Sequence, residues 1–136
     1  MSKHLFELIL AIKHKCQGNE EQIQAELGLT PAEFNALVVL EGGTAVLGCE
    51  FARRMGLSPS RGSRVLNTLV THGYARTQPS PDDRRASLIS LTGQGKRMRT
   101  KIVNRMHACE RRIHDNLDRR GRLRLAEALE LLESVL

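Results

Sequence analysis

Between residues 48 and 73, start and stop signals for helices follow one another closely, and they constrain the fold more than any other part of the chain. Gly56 is placed to close a short helix over 50–55, and Ser58 followed by Pro59 is a typical start of the next helix. The second helix has an apolar stripe made of Gly62, Val65, Leu66 and Leu69. The segment therefore predicts a helix–turn–helix.

Two extended runs follow this helix–turn–helix, over 74–78 and 86–91, on either side of a segment rich in Pro, Ser and Asp. The arrangement predicts a β-hairpin whose tip carries two aspartates beside Arg84 and Arg85. A helix–turn–helix with such a hairpin is a winged helix. Residues 44–47 are too short for an independent strand but could pair at the edge of the sheet.

Helical patterns also lie before the winged helix. One spans 3–17 and a second spans 19–27 with Gly28 as its stop, and the sequence leaves open whether these are two helices or one bent helix. Thr30 and Glu33 form a capping box around Pro31, which predicts a helix from 31 to about 41.

Two more helices are predicted after the wing. Thr92 is placed to cap a long helix, and a last helix runs from about 119 to the end of the sequence. The apolar residues of these two helices recur at helical spacing: Met98, Ile102, Met106, Cys109, Ile113 and Leu117, then Leu125, Ala128, Leu129, Leu132 and Leu136. These stripes, and that of Leu5, Ile9 and Ile12, are wider than one chain can bury.

Positive charge is concentrated in the middle of the chain. Residues 50–105 hold 12 Lys and Arg against 3 Asp and Glu, a net charge of +9, whereas the whole chain carries +6. Such a concentration is typical of a surface that binds a polyanion such as nucleic acid. A solvated basic face without a partner is the alternative interpretation of the charge alone.

Several other classes of protein do not fit the sequence. No run approaches the roughly 20 apolar residues of a membrane span, and charged residues interrupt the apolar patch near the start, so we expect no signal peptide. Three cysteines without a CxxC motif argue against a disulfide scaffold or zinc ribbon, and we expect a cytoplasmic protein. No nucleophile and base share a motif, so we expect no enzyme, and no cofactor or metal is predicted.

The central motifs resemble those of the MarR family of bacterial transcription regulators. The segments LTPAEFNALVVL, FARRMGLSPSRGSRVLNTLVTHGYA and PSPDDRRASLISLTGQGK carry the resemblance over residues 29–97. The most specific part is a wing signature, Asp-x-Arg leading into Leu-Thr-x-x-Gly, here Asp83, Arg85, Leu91, Thr92 and Gly95. We therefore expect one mainly α domain with a small β-wing, in which a winged helix-turn-helix lobe spans 30–97 and dimerisation helices span 1–28 and 98–136.

The resemblance also implies a function. It implies a homodimeric, sequence-specific DNA-binding regulator, a repressor released by a small ligand, whose lobes straddle a pseudo-palindromic operator with half-sites about 34 Å apart. A winged-helix module for protein contact or nonspecific DNA packaging is the rival interpretation.

Candidate DNA-binding residues lie on the second helix of the helix–turn–helix and on the wing. They are Ser58, Ser60, Arg61, Ser63, Arg64, Asn67, Asp83, Arg84 and Arg85. Small hydroxyls allow close approach to the major groove, and Arg reads guanine in bidentate fashion. The family pattern places Arg85 in the minor groove and uses Asp83 to hold an arginine, although Asp83 also fits a simple turn-former.

Three features leave alternatives open. Gly62 stands where the family usually has a β-branched or aliphatic residue, and it lowers helicity by about 1 kcal/mol relative to Ala. It would either permit a closer approach to the helix before it or make its own helix more dependent on DNA for order. Cys16 is a candidate redox sensor because it lies beside basic residues. His107, Glu110 and His114 share a helical face and could form part of a metal site, which would make the protein a metal sensor.

Overall fold

The computed structural model of the protein describes residues 4–136, and this range contains six helices and three short strands. In chain order they are α1 (Leu5–Leu27), α2 (Pro31–Val39), β1 (Val46–Leu47), α3 (Gly48–Met55), α4 (Pro59–Thr71), β2 (Ala75–Pro79), β3 (Ser87–Leu91), α5 (Gly93–Asp115) and α6 (Arg119–Val135). The predicted fold class, mainly helical with a small β-wing, is confirmed. No helix within residues 4–136 is long and apolar enough to cross a membrane.

The chain divides into two compact units. The first ends at Ile102 and the second spans 103–136, so that α5 begins in the first unit and continues into the second.

α1 is one helix rather than two, which is the point that the sequence left open. A single helix covers both predicted segments and passes through Gly18, around which there is open space. It ends at Gly28, which adopts the left-handed conformation with a φ of 69°. The predicted start at Lys3 lies outside the described residues.

α2 begins as predicted and ends earlier. The Thr30 hydroxyl accepts a hydrogen bond from the Glu33 amide, and the Glu33 carboxylate accepts one from the Thr30 amide. The helix stops at Val39 rather than near residue 41, because Leu40 leaves the helix in an extended conformation and is buried in the core.

The three strands form one antiparallel sheet in the order β1–β3–β2. Ile89 of β3 is fully buried and is paired with Val46 of β1 on one side and Thr77 of β2 on the other. The hairpin prediction is therefore confirmed, and residues 46–47 pair at the sheet edge as the sequence allowed.

Hydrogen bonds and a close backbone contact connect the start of α5 to Gly73 and Tyr74, just before β2. The Thr92 hydroxyl donates to the Gly73 carbonyl and accepts a hydrogen bond from the Gly95 amide, which confirms Thr92 as the cap. A side chain at Gly95 would place its Cβ 1.9 Å from the Tyr74 carbonyl oxygen. Only glycine permits this approach.

The first unit buries a continuous apolar core. Its fully buried large side chains are Leu37, Leu40, Phe51, Leu69, Ile89 and Ile102. They come from α2, the segment after it, α3, α4, β3 and α5, so each of these elements contributes to the same core.

The second unit is different. None of residues 103–136, all of which the structure describes, is fully buried. Its large exposed apolar side chains are Met106, Ile113, Leu123, Leu125, Leu129, Leu131, Val135 and Leu136.

Candidate nucleic-acid interface

α4 presents a polar, basic face at its N-terminal half. The Ser58 hydroxyl caps the helix by accepting a hydrogen bond from the Arg61 amide, and Pro59 occupies the first helical position. Gly62 and Leu69 are buried on the inner face. The predicted outer face is exposed along its length: Ser60, Arg61, Ser63, Arg64 and Asn67.

α3 and α4 lie close together at Gly62, which has no side chain to separate them. A Cβ at this position would lie 2.7 Å from the Cβ of Ala52 and 3.3 Å from its Cα. The glycine therefore permits the close approach between α3 and α4, which is the first of the two roles that the sequence left open for it.

The two arginines of α4 are available for contact. Both side chains are exposed, and within the described range 4–136 no acidic side chain forms an ion pair with Arg61 or Arg64. The nearby Ser60 hydroxyl lies 3.3 Å from that of Ser58.

The arginines of α3 are arranged differently, and they were not among the predicted DNA-binding residues. Glu50 accepts two hydrogen bonds from Arg53, one of them 2.9 Å from Nε, and a third of 3.0 Å from Nε of Arg54. These bonds from Arg53 and then Arg54 lower the pKa of Glu50 to about 2. The signal was present in the sequence as acid–base pairs three and four residues apart on one helix.

The tip of the wing is organised by main-chain hydrogen bonds. Asp83 accepts a hydrogen bond of 2.9 Å from the backbone amide of Arg85, and its carbonyl accepts one from Ala86. This is the turn-forming arrangement that the sequence offered as the alternative for Asp83. Arg84 and Arg85 are exposed, and no acidic side chain among residues 4–136 forms an ion pair with either.

A cleft of 290 Å³ lies between α3, α4 and the wing. Ser63 of the outer face of α4, Arg85 of the wing and Cys49 of α3 line it, together with the buried Phe51. The cleft thus brings together candidate residues from the helix and from the wing.

A buried carboxylate links α2 to the end of α4. Glu33 is almost inaccessible, and its Oε2 lies 2.7 Å from Nδ1 of His72, the residue that caps the C-terminus of α4. Burial alone would raise the pKa of Glu33, but hydrogen bonds with His72 and Thr30 outweigh it, so this pKa is lowered. No sequence pattern indicates this contact, because the residues lie 39 positions apart.

The candidate redox and metal sensors lie in parts of the sequence outside α3, α4 and the wing. Cys16 is exposed on α1. In the second unit, Nε2 of His114 lies 3.8 Å from Oε1 of Glu110. Over the described part of the chain, no group of three or more His, Cys, Asp or Glu side chains is placed to hold a metal ion.

Comparisons with known proteins agree with this geometry. The sequence profile of the MarR family matches residues 27–86. The uncharacterized proteins Rv2011c of Mycobacterium tuberculosis and Mb2034c of Mycobacterium bovis are each 33% identical over 98 residues, which is 72% of this chain and 68% of theirs.

Solved structures share the fold across nearly the whole chain. Wild-type MarR from E. coli in its apo form is 22% identical with a TM-score of 0.77, covering 100% of this chain and 98% of that one. RV1404 from Mycobacterium tuberculosis is 20% identical with a TM-score of 0.83, covering 98% of this chain and 95% of that one.

Proposed function

This chain belongs to the MarR family of winged-helix transcription regulators, and from that premise we propose that it is a homodimeric repressor that binds a pseudo-palindromic operator. DNA binding is implied by the family, whose members are regulators rather than enzymes. The finer proposal adds the sequence-specific readout, the second copy of the chain and release by a small ligand.

The observation that carries the proposal is the exposed N-terminal half of α4. It combines small hydroxyl side chains with Arg61 and Arg64. Both arginines are exposed, and no acidic side chain within residues 4–136 forms an ion pair with either. A helix of this kind can enter the major groove, where an arginine can bind guanine. We propose that α4 reads base edges and that Arg85 of the wing binds the minor groove.

The second copy is supported by apolar side chains that each unit leaves exposed. On α1, Leu5 and Phe6 are 69% and 68% exposed, and on α6 Leu131 is 66% exposed. Several large apolar side chains exposed on one helix are typical of an interaction surface, so we propose that a second copy of the chain covers those of α1 and α6.

Release by a small ligand is supported by the cleft between α3, α4 and the wing. Its 290 Å³ is close to the lower end of the range of small-molecule sites, about 300 Å³. An occupant would lie against Ser63 and Arg85, and so would compete with or displace two residues that we assign to DNA.

Selection of bound duplexes from a random pool tests the proposed function. We expect an inverted repeat whose half-sites lie about 10 base pairs apart, centre to centre. Recovery of duplexes without a shared sequence would contradict sequence-specific recognition and favour nonspecific packaging.

Contacts that read bases can then be distinguished from contacts to the DNA backbone with one pair of variants. Arg64→Ala should narrow the gap in affinity between operator and scrambled duplex, because it removes a base contact worth about 1–3 kcal/mol. Lys96→Ala, at an exposed position on α5, should weaken binding to both duplexes alike. Salt titrations on both duplexes measure this, and an equal loss on both for Arg64→Ala would make Arg64 a backbone anchor.

A further inference from the structure

The arginines on the two helices of the helix–turn–helix differ in whether they pair with an acidic side chain. Arg61 and Arg64 of α4 are exposed without an acidic partner anywhere in residues 4–136, whereas Arg53 and Arg54 of α3 are both bonded to Glu50. Glu50 is also the sole acidic residue between positions 48 and 73. A single acid in a basic segment therefore engages two of its four arginines.

Glu50 offers the two arginines of α3 an anionic acceptor of the kind that a DNA phosphate also offers. A carboxylate that accepts hydrogen bonds from guanidinium groups uses the same donors that arginine offers to a phosphate. Glu50 accepts from Nε and Nη2 of Arg53 and from Nε of Arg54, so both cations are engaged by one anion. The three side chains together carry a net charge of +1 instead of +2.

We propose that Glu50 limits the sequence-independent part of DNA binding by competing with backbone phosphates for Arg53 and Arg54. This inference rests on the proposed function, since it presupposes that the helix–turn–helix lies on DNA. The first helix of such a motif crosses the DNA backbone, and phosphate contacts supply most of the nonspecific affinity. With Glu50 charged, the protein binds fewer phosphates than its arginines would allow.

The competition operates across the whole physiological pH range. Hydrogen bonds from Arg53 and Arg54 lower the pKa of Glu50 to about 2, and without them its ordinary pKa is 4.5, so the carboxylate is charged throughout the physiological pH range in either case. The restraint is therefore not a pH switch.

The test measures binding to a mixed-sequence duplex as a function of salt, which needs no knowledge of the operator. Glu50→Gln should tighten binding roughly tenfold near 0.1 M salt and steepen the salt dependence by about one unit for each additional phosphate that the protein neutralises. The triple variant Glu50→Gln, Arg53→Gln, Arg54→Gln should lose both the tighter binding and the steeper salt dependence.

Glu41→Gln is the matched control. Glu41 is exposed and lines the same groove as Glu50 and Arg54, so this substitution makes the same charge change in the same neighbourhood without releasing an arginine. We expect at most a small effect. An equal increase in affinity for Glu41→Gln would show a general charge effect and overturn the proposal.

The other outcomes are equally decisive. Unchanged or weaker binding by Glu50→Gln would make the cluster a helix-stabilising ion pair only, and a triple variant as tight as Glu50→Gln would remove Arg53 and Arg54 from the interface. Thermal unfolding of each variant confirms that it is folded. If the unmodified protein binds no duplex at all, the proposed function itself fails.

Discussion

The two compact units of this chain differ in how completely they bury their apolar side chains. The first unit, which ends at Ile102, has a continuous core to which helices and sheet both contribute. The second, over 103–136, has no fully buried residue, and Leu129 and Leu131 of α6 are 49% and 66% exposed. The difference teaches that the winged-helix elements of the first unit form their core within one chain, whereas the exposed apolar side chains of α1 and of the second unit are those that we propose a second copy covers.

The packing of the first unit includes close approaches that tolerate no added atoms. Gly95 lies against the Tyr74 carbonyl, and Gly62 lies against Ala52. Backbone and helix contacts of this kind cannot relax by moving a flexible side chain. In the second unit, a Cβ at Gly121 of α6 would meet Oδ1 of Asp118 at 3.0 Å, a contact with a side chain rather than with the backbone.

The largest effect is expected from Gly95→Ala. The new Cβ would lie 1.9 Å from a backbone oxygen, so the wing and α5 must separate, and we expect a loss of about 3 kcal/mol or more in the free energy of unfolding. Gly93→Ala on the same helix is the control, because its Cβ would meet only the end of the Arg97 side chain, at 3.4 Å. Denaturant unfolding measures both; equal stability of the two variants would show that the wing is not fastened here.

A smaller effect, dependent on pH, is expected at the link between α2 and α4. Because the pKa of Glu33 is lowered in the folded protein, its charged form stabilises the fold above its ordinary pKa of 4.5, and this contribution is lost as the pH falls through the folded value. Glu33→Gln should therefore cost about 1 kcal/mol near neutral pH, and the difference from the unmodified protein should shrink below pH 4.5.

Denaturant unfolding across this pH range measures the Glu33 effect. Glu41→Gln, at an exposed position just after α2, is the control and should show no such pH-dependent difference. A cost for Glu33→Gln that stays constant from neutral to acid pH would mean that packing, rather than the charge, is what the substitution removes.

Local signals in the sequence were enough to predict most of the first unit. The capping box at Thr30, the left-handed glycines at 28 and 56 and the cap at Ser58 act over three or four residues, so their structural outcome is fixed by neighbours in the chain. The end of α2 was misplaced because burial of Leu40, a tertiary effect, decides it.

The candidate site was predictable only in part. The exposed face of α4 followed from helical periodicity. The bond between Glu33 and His72 was not foreseeable, because no local pattern relates residues so far apart in the chain. The role of Asp83 depends on which partner its carboxylate finds, and in this structure the partner is the Arg85 amide. The assignment of individual side chains to bases or phosphates stays a prediction.

Sedimentation equilibrium of the protein in the micromolar range tests the contrast between the two units most directly. We predict a mass twice the 15.2 kDa of one chain, and a loss of this dimer when residues 125–136 are deleted, because that deletion removes most of the exposed apolar side chains of α6. A well-folded monomer of the full chain at these concentrations would contradict the account, since the second unit would then be stable with its apolar side chains in water.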